Sequence, residues 1–148
     1  MMSKDVASEE VLDRLAIRDV LAKYMLAMRT HDLDLMDDVF TADAVIDYTA
    51  IGGSRAPWSE TKPWLHAMTD VELFMLYVGD VYPTFYDGTD AADVESTWHG
   101  VFVAAPGATP LTIFGTYTDR FVRTPDGWRI SERVDHPAIQ VPAASPPQ

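Results

Sequence analysis

Leu111-Thr-Ile-Phe-Gly-Thr-Tyr-Thr-Asp-Arg-Phe-Val-Arg123, followed by Asp126-Gly127 and then Trp128-Arg-Ile-Ser-Glu-Arg-Val-Asp135, decides the fold. Aromatic and β-branched residues fill both segments and alternate with polar ones, the period of half-buried strands. Asp-Gly between them is turn chemistry and predicts an antiparallel hairpin. Upstream, Leu73 to Phe85 and Ala92 to Ala104 read as two more long strands, divided by Asp87-Gly88 and by Pro106-Gly107. The last three of these four strands are expected to form an antiparallel meander.

Further upstream the period changes from two to that of a helix. Between Ser8 and Met28, Val11, Leu12, Leu15, Ala16, Val20, Leu21, Tyr24, Met25 and Met28 recur at helical spacing, which predicts one long amphipathic helix. Ser8 stands as its cap, and Glu9 and Glu10 as first-turn carboxylates. Leu33, Met36 and Val39-Phe40 predict a second short helix ending near Thr41, and Ala44 to Tyr48 a strand. Gly52 to Pro57 reads as a loop. Trp58 to Met68 reads as a third helix, capped by Ser59 or Thr61, with Pro63 in its first turn. Helices first and strands after is the order of an α+β fold with helices on one side of a sheet. Strong curvature of that sheet would enclose a cone against the long helix, a shape suited to a small ligand.

A chain of 148 residues fits one domain, expected over 1–140, and the Pro- and Ala-rich stretch 141–148 is expected to be a disordered tail. Lys and Arg number 11 against 23 Asp and Glu, a formal charge of −12, which repels phosphate backbones and anionic lipid. A neutral small-molecule ligand is expected, with no nucleic acid and no membrane. No cysteine is present, which excludes disulfides, thiolate nucleophiles and cysteine zinc sites. The first ten residues lack an apolar signal core, so a cytoplasmic location is expected. His31, His66 and His136 lack metal-ligand spacing, and no phosphate loop, dinucleotide fingerprint or nucleophile elbow occurs, so neither metal nor cofactor is expected.

Leu15-Ala-Ile-Arg-Asp-Val-Leu-Ala-Lys-Tyr24, Phe114-Gly-Thr-Tyr-Thr-Asp-Arg-Phe121 and Asp126-Gly-Trp-Arg-Ile-Ser-Glu-Arg133 together resemble the SnoaL-like branch of the nuclear transport factor 2-like superfamily. Within it the chain looks similar to the scytalone dehydratase and hexachlorocyclohexane dehydrochlorinase group. The resemblance implies a cone-shaped α+β barrel of mixed sheet around the first helix. It also implies cofactor-free lyase, isomerase, cyclase or epoxide-hydrolase chemistry on one organic ligand, and a homodimer formed through the outer sheet face. The dehydratase-like members place an Asp near the end of the first helix and a His on the strand after the third. Here Arg29 stands at the first position and Leu76 or Tyr77 at the second, so the family's dyad is expected to be missing.

Other candidates take its place. His99 is the one histidine inside a strand core, on the face shared with Asp93, Glu95, Thr97 and Val101. It is an acid or base if that face lines the cone and a solvent-facing residue if it does not. Val94, Ser96, Trp98, Gly100 and Phe102, on the opposite face, are more apolar. Arg133 and Asp135 alternate onto one side of the last strand and Ile130, Glu132 and Val134 onto the other. By resemblance Arg133 matches a pocket arginine and Asp135 the polyketide cyclases' acid/base aspartate; the alternative is a rim ion pair. Tyr48, Tyr77 and Tyr117, with Tyr24 on the inner helix face, could bring hydroxyls to an apolar cavity or be ordinary half-buried aromatics. Arg29 could pair with Asp135 or Asp80, bind a ligand anion, or point into solvent at the helix end, where a cation meets the dipole.

The sequence thus supports an acid-base enzyme for a small cyclic or polyketide-like molecule, in which His99, Asp135 and Tyr117 or Tyr48 transfer protons and Arg133 stabilises the anion. Tyr24, Met28, Arg29, Leu76, Tyr77 and Trp98 would hold the ligand. Two alternatives stand beside it: a non-catalytic binding protein on the same scaffold, and limonene-epoxide-hydrolase-like water addition using Asp135 or Glu132 with Arg133.

Overall fold

The computed structural model describes residues 4–86 and 90–142. The Asp87-Gly88 turn and residues 143–148 lie outside it. Helix α1 runs Lys4–Thr30, and its inner face is made by Ile17, Leu21, Tyr24 and Met28, spaced to meet one surface. The amphipathic reading holds for this second half alone. Val11, Leu12 and Leu15 remain 56%, 65% and 54% exposed, because in these turns it is Asp13, bonded to Arg123 and Trp128, and Arg14, over Phe85, that meet the sheet. The helix ends at His31, which takes the left-handed region (φ +54), so that Asp32 N–H can donate to Ala27 O at 3.0 Å.

Leu33–Asp38 is a 3₁₀ turn rather than an α-helix; Val39 closes it, and Phe40 is already the first residue of a strand, β1, Phe40–Asp47. The stretch read as a loop contains a short strand, β2, Arg55–Pro57, paired antiparallel with β1. Helix α2 occupies Trp58–Met68 with Pro57 at its cap position and no side-chain cap. Ser59 and Thr61 therefore lie inside it, and Pro63 sits in the second turn. Thr61 Oγ1 instead donates back to Pro57 O at 3.1 Å.

Strands β3 (Leu73–Phe85), β4 (Ala91–Val103), β5 (Leu111–Thr124) and β6 (Gly127–Pro142) complete a sheet of order β2-β1-β6-β5-β4-β3. Neighbours are antiparallel except β1 and β6, which run parallel. The fold is α+β with a mixed, curved sheet that is not closed into a barrel, since β2 and β3 leave two edges. β6 continues two residues beyond the expected domain end, with Pro142 paired to Leu111.

Register shifts set which side chains face inward. Between Phe121↔Ile130 and Arg120↔Glu132 one extra residue, Ser131, enters β6, so Ile130 and Arg133 both point inside although alternation would separate them. A second shift, between Phe114↔Ile139 and Gly115↔Pro137, inserts Ala138 and turns Gln140 inward.

At that shift Gly115 lies under the Trp98 ring. A Cβ there would stand 2.6 Å from the indole and 2.8 Å from His136 O, a backbone atom that cannot move aside. Gly115→Ala is expected to cost about 1–3 kcal/mol through overpacking, measured by urea unfolding; the same change at Gly107, where φ is +79 and nothing lies near the added carbon, tests left-handed backbone strain instead.

Candidate active site

A cavity of about 290 Å³ opens between α1, α2 and the concave face of the sheet, at the small end of organic-ligand pockets. Met28, Leu65, Met68, Phe74, Leu76 and Ile113 form apolar walls. Into this hollow face five residues that carry polar groups: Tyr24, Trp98, Tyr117, Asp135 and, at the end of β6, Gln140. Asp135 is the only ionisable acid or base of ordinary neutral-range interest among them, since the tyrosine hydroxyls are pushed well above their usual value, mainly by burial.

Asp135 is 4% exposed. Its Oδ1 accepts a hydrogen bond from Trp98 Nε1 at 3.1 Å, and the indole is held flat against Tyr117 with ring centres 5.7 Å apart. Burial pushes the carboxyl up to about 6, while the charge of Arg133 and the Trp98 donor keep it from rising further. A carboxyl so tuned exists in both protonation states near neutrality, the property that general acid-base work requires.

Behind this carboxyl lies a fixed charge pair. Arg133 is fully buried, and its Nε and Nη2 donate to the two oxygens of Asp119 at 2.7 and 2.8 Å. The guanidinium lies 3.8 Å from the ring centre of Tyr117 and 4.4 Å from that of Tyr24, so aromatic faces replace part of the lost hydration. Burial works against both charges. Asp119 nonetheless holds the arginine protonated, and the arginine opposes the upward push on the Asp119 carboxyl. Tyr24 OH and Tyr48 OH share a hydrogen bond of 2.7 Å, which ties α1 to the end of β1.

Several expected site residues stand elsewhere. His99 is on the outer face, stacked 4.5 Å from Phe114 and 5.9 Å from Tyr77, because the inner face of β4 is Ala92, Val94, Ser96, Trp98 and Gly100. It cannot reach the cavity. Tyr77 is 50% exposed on that outer face, whereas Leu76, next to it, points in. Arg29 is exposed in the last turn of α1, outside the cavity lining, where its charge meets the helix dipole. Tyr48 is buried behind Tyr24 and outside the lining, and Arg133 is occupied by Asp119, so neither touches the hollow. Glu132 is exposed and pairs with Arg55 at 3.3 Å. Tyr24, Met28, Leu76, Trp98, Tyr117 and Asp135 do line the cavity.

Asp119 escaped the sequence reading. Half of its signal was present, since it alternates with Tyr117 and the apolar Phe121 on one strand face; its register with Arg133 comes from the extra residue in β6. Gln140 carried no such signal, because the bulge at Ala138 reverses its side. Among the described residues no group of three or more His, Asp or Glu could hold a metal ion, and no helix is long and apolar enough to cross a membrane.

A family model, that of the SnoaL-like domain, matches residues 9–134 of this chain. The chain belongs to the SnoaL-like domain family. An uncharacterized protein of Mycobacterium tuberculosis (strain H37Rv) is 34% identical over 132 residues, covering 88% of this chain and 89% of that protein. Among solved structures, hexachlorocyclohexane dehydrochlorinase LinA-type3 from Novosphingobium barchaimii superposes with a TM-score of 0.80 at 16% identity, over 95% of this chain and 99% of that one. A nuclear transport factor 2-like superfamily protein from Salmonella enterica gives 0.72 at 18% identity, over 85% and 94%. At these identities the structures share the SnoaL-like fold; the chemistry must come from the site.

Two measurements probe the site. The native state holds the Asp135 proton more tightly than the unfolded chain, so its contribution to stability falls as pH rises from about 4 through 6, by about 3 kcal/mol in all. Asp135→Asn should therefore gain stability relative to the parent across that interval and level off above it, read by urea unfolding at pH 4, 5, 6 and 7.5. Trp98→Phe removes a donor to the ionised carboxylate and should move the Asp135 carboxyl above 6, read from its ¹³C shift in an NMR titration. Separately, Arg133→Met leaves the buried Asp119 charge unpaired and should cost about 3–5 kcal/mol, most of it recovered when Asp119→Leu is added.

Proposed function

We propose that the cavity is a cofactor-free acid-base site in which Asp135 moves a proton on a small, neutral, mostly apolar cyclic or polyketide-like molecule. The observation that carries this reading is a single cavity-facing carboxyl, raised to about 6 by burial, enclosed by apolar walls. Among the described residues no free cation lines the hollow, which favours a neutral substrate over an anionic one.

The ionised carboxylate accepts a proton from a carbon next to a carbonyl, and the C–H electron pair moves into a carbon–carbon double bond as the carbonyl oxygen gains charge. The hydroxyls of Tyr24 and Tyr117 and the side-chain amide of Gln140 are donors within the lining that can hydrogen-bond this oxygen. Protonated Asp135 then returns its proton, either to a different carbon, which isomerises the ligand, or to a departing group, which makes the step a lyase reaction. Trp98 keeps one carboxyl oxygen occupied, leaving the other to react. Arg133 acts through space: it lowers the cost of ionising Asp135 without touching the ligand.

A second reading, a non-catalytic binding protein, is supported by the predominantly apolar walls and by Met28 and Leu76, which offer no chemistry. Epoxide-hydrolase-like water addition would need a second free carboxylate, and Asp119 and Glu132 are both engaged with arginines. We also propose that the chain forms a homodimer through the outer sheet face, where Tyr77, His99, Phe114 and Ile139 align across four strands, three of them between 41% and 53% exposed.

The discriminating assay is deuterium exchange at the α-carbons of cyclic ketones in heavy water, followed by proton NMR. The parent should accelerate exchange with a midpoint near pH 6, and Asp135→Asn should lose about 100-fold or more of that acceleration while still quenching Trp98 fluorescence on binding. Equal exchange by parent and variant would remove Asp135 from the chemistry; binding without exchange in either would establish the non-catalytic reading.

A further inference from the structure

The outer side of α1 carries an apolar stripe that the fold leaves uncovered. Val11, Leu12 and Leu15 are more than half exposed and Leu26 is 39% exposed, and the small exposed residue Ala22 lies between Leu15 and Leu26 on the same side. Arg18 and Asp19 occupy the middle of the stripe, both exposed and neither with a partner among the described residues. The arrangement is symmetric about that charged centre: Leu15 and Ala22 lie equally far from it on opposite sides, and so do Val11 and Leu26.

We infer that this stripe pairs with itself, joining two copies of the chain through antiparallel α1 helices crossing at Arg18 and Asp19. A two-fold axis there sets Arg18 of each copy against Asp19 of the other, Leu15 against the small Ala22, and Leu26 against Val11. A shallow hollow lined by Ala7, Ser8, Val11 and Leu12 lies where Leu26 of the other copy arrives, and a large side chain facing a small one lets the backbones approach. Antiparallel alignment also sets the two helix dipoles in opposite directions, the positive end of each beside the negative end of the other. A parallel pairing would set Arg18 against Arg18, and a hydrophobic partner without charges would leave both ions desolvated and unpaired. The surface is separate from the outer sheet face, so the two pairings are independent of each other and of the cavity's chemistry.

Charge exchange tests the pairing. By sedimentation equilibrium, Arg18→Asp and Asp19→Arg alone should each halve the parent's molar mass, while the double variant, or a mixture of the two single variants, should restore it. A parent tetramer falling to a dimer would mean that both this surface and the sheet face are in use; a parent dimer falling to a monomer would mean this one alone. A mass unchanged by either single variant overturns the inference whatever the sheet face does. Because the chain has no cysteine, cross-linking gives a second readout. A mixture of Leu15→Cys and Ala22→Cys should form an inter-chain disulfide at least 10-fold faster than either variant alone, since like positions in an antiparallel pair are roughly 10 Å apart along the axis, beyond disulfide reach. Equal rates in the mixture and the single variants would count against the pairing.

Discussion

The contact between Arg133 and Asp119 organises the interior. Two opposite charges with no exposure at all would carry a heavy desolvation cost if either stood alone. Here they share two short hydrogen bonds, and the guanidinium rests on the rings of Tyr117 and Tyr24. Each partner comes from a different element: Arg133 from β6, Asp119 and Tyr117 from β5, Tyr24 from α1. Holding one buried cation in this way packs the long helix against the sheet, with Tyr24 OH within reach of Tyr48 OH.

The same cation accounts for the difference between two aspartates of one interior. Asp119 accepts from Nε and Nη2 of the guanidinium and is spent on structure. Asp135, two residues from Arg133 along the strand, feels its charge without a direct hydrogen bond and has only the Trp98 indole as donor. Burial therefore dominates at Asp135 and leaves it close to neutrality, where a carboxyl can both take and give a proton. One residue type has two environments, and the proton chemistry proposed for the site rests on that asymmetry rather than on a histidine.

Much of this architecture was legible along the chain. The Trp58–Met68 helix was readable from its period, and the Leu73–Phe85 strand from the β-branched and aromatic residues that fill it up to Asp87-Gly88. The inner position of Trp98 followed from alternation alone, once the apolar side of β4 was taken as the buried one. The same logic removes His99 from the cavity: its neighbours two residues away on either side are Thr97 and Val101, on the outer face. Asp135 was reachable from sequence through resemblance, but nothing in its neighbours indicates how deeply it is buried.

What the sequence determined by itself is local: the periods, turns and charge balance, which follow from the backbone's preference for repeating geometry and from which side chains can leave water. Only the tertiary structure decided which residues meet. An extra residue at Ser131 and another at Ala138 reverse the facing of β6, so alternation counted along the chain places Ile130 and Gln140 on the wrong side. The pairing of Arg133 with Asp119, the exposure of Arg29 and the bare outer side of α1 likewise depend on where the sheet bends and ends. Those are properties of strand register and curvature, fixed by contacts between segments distant in sequence, and no single segment carries them.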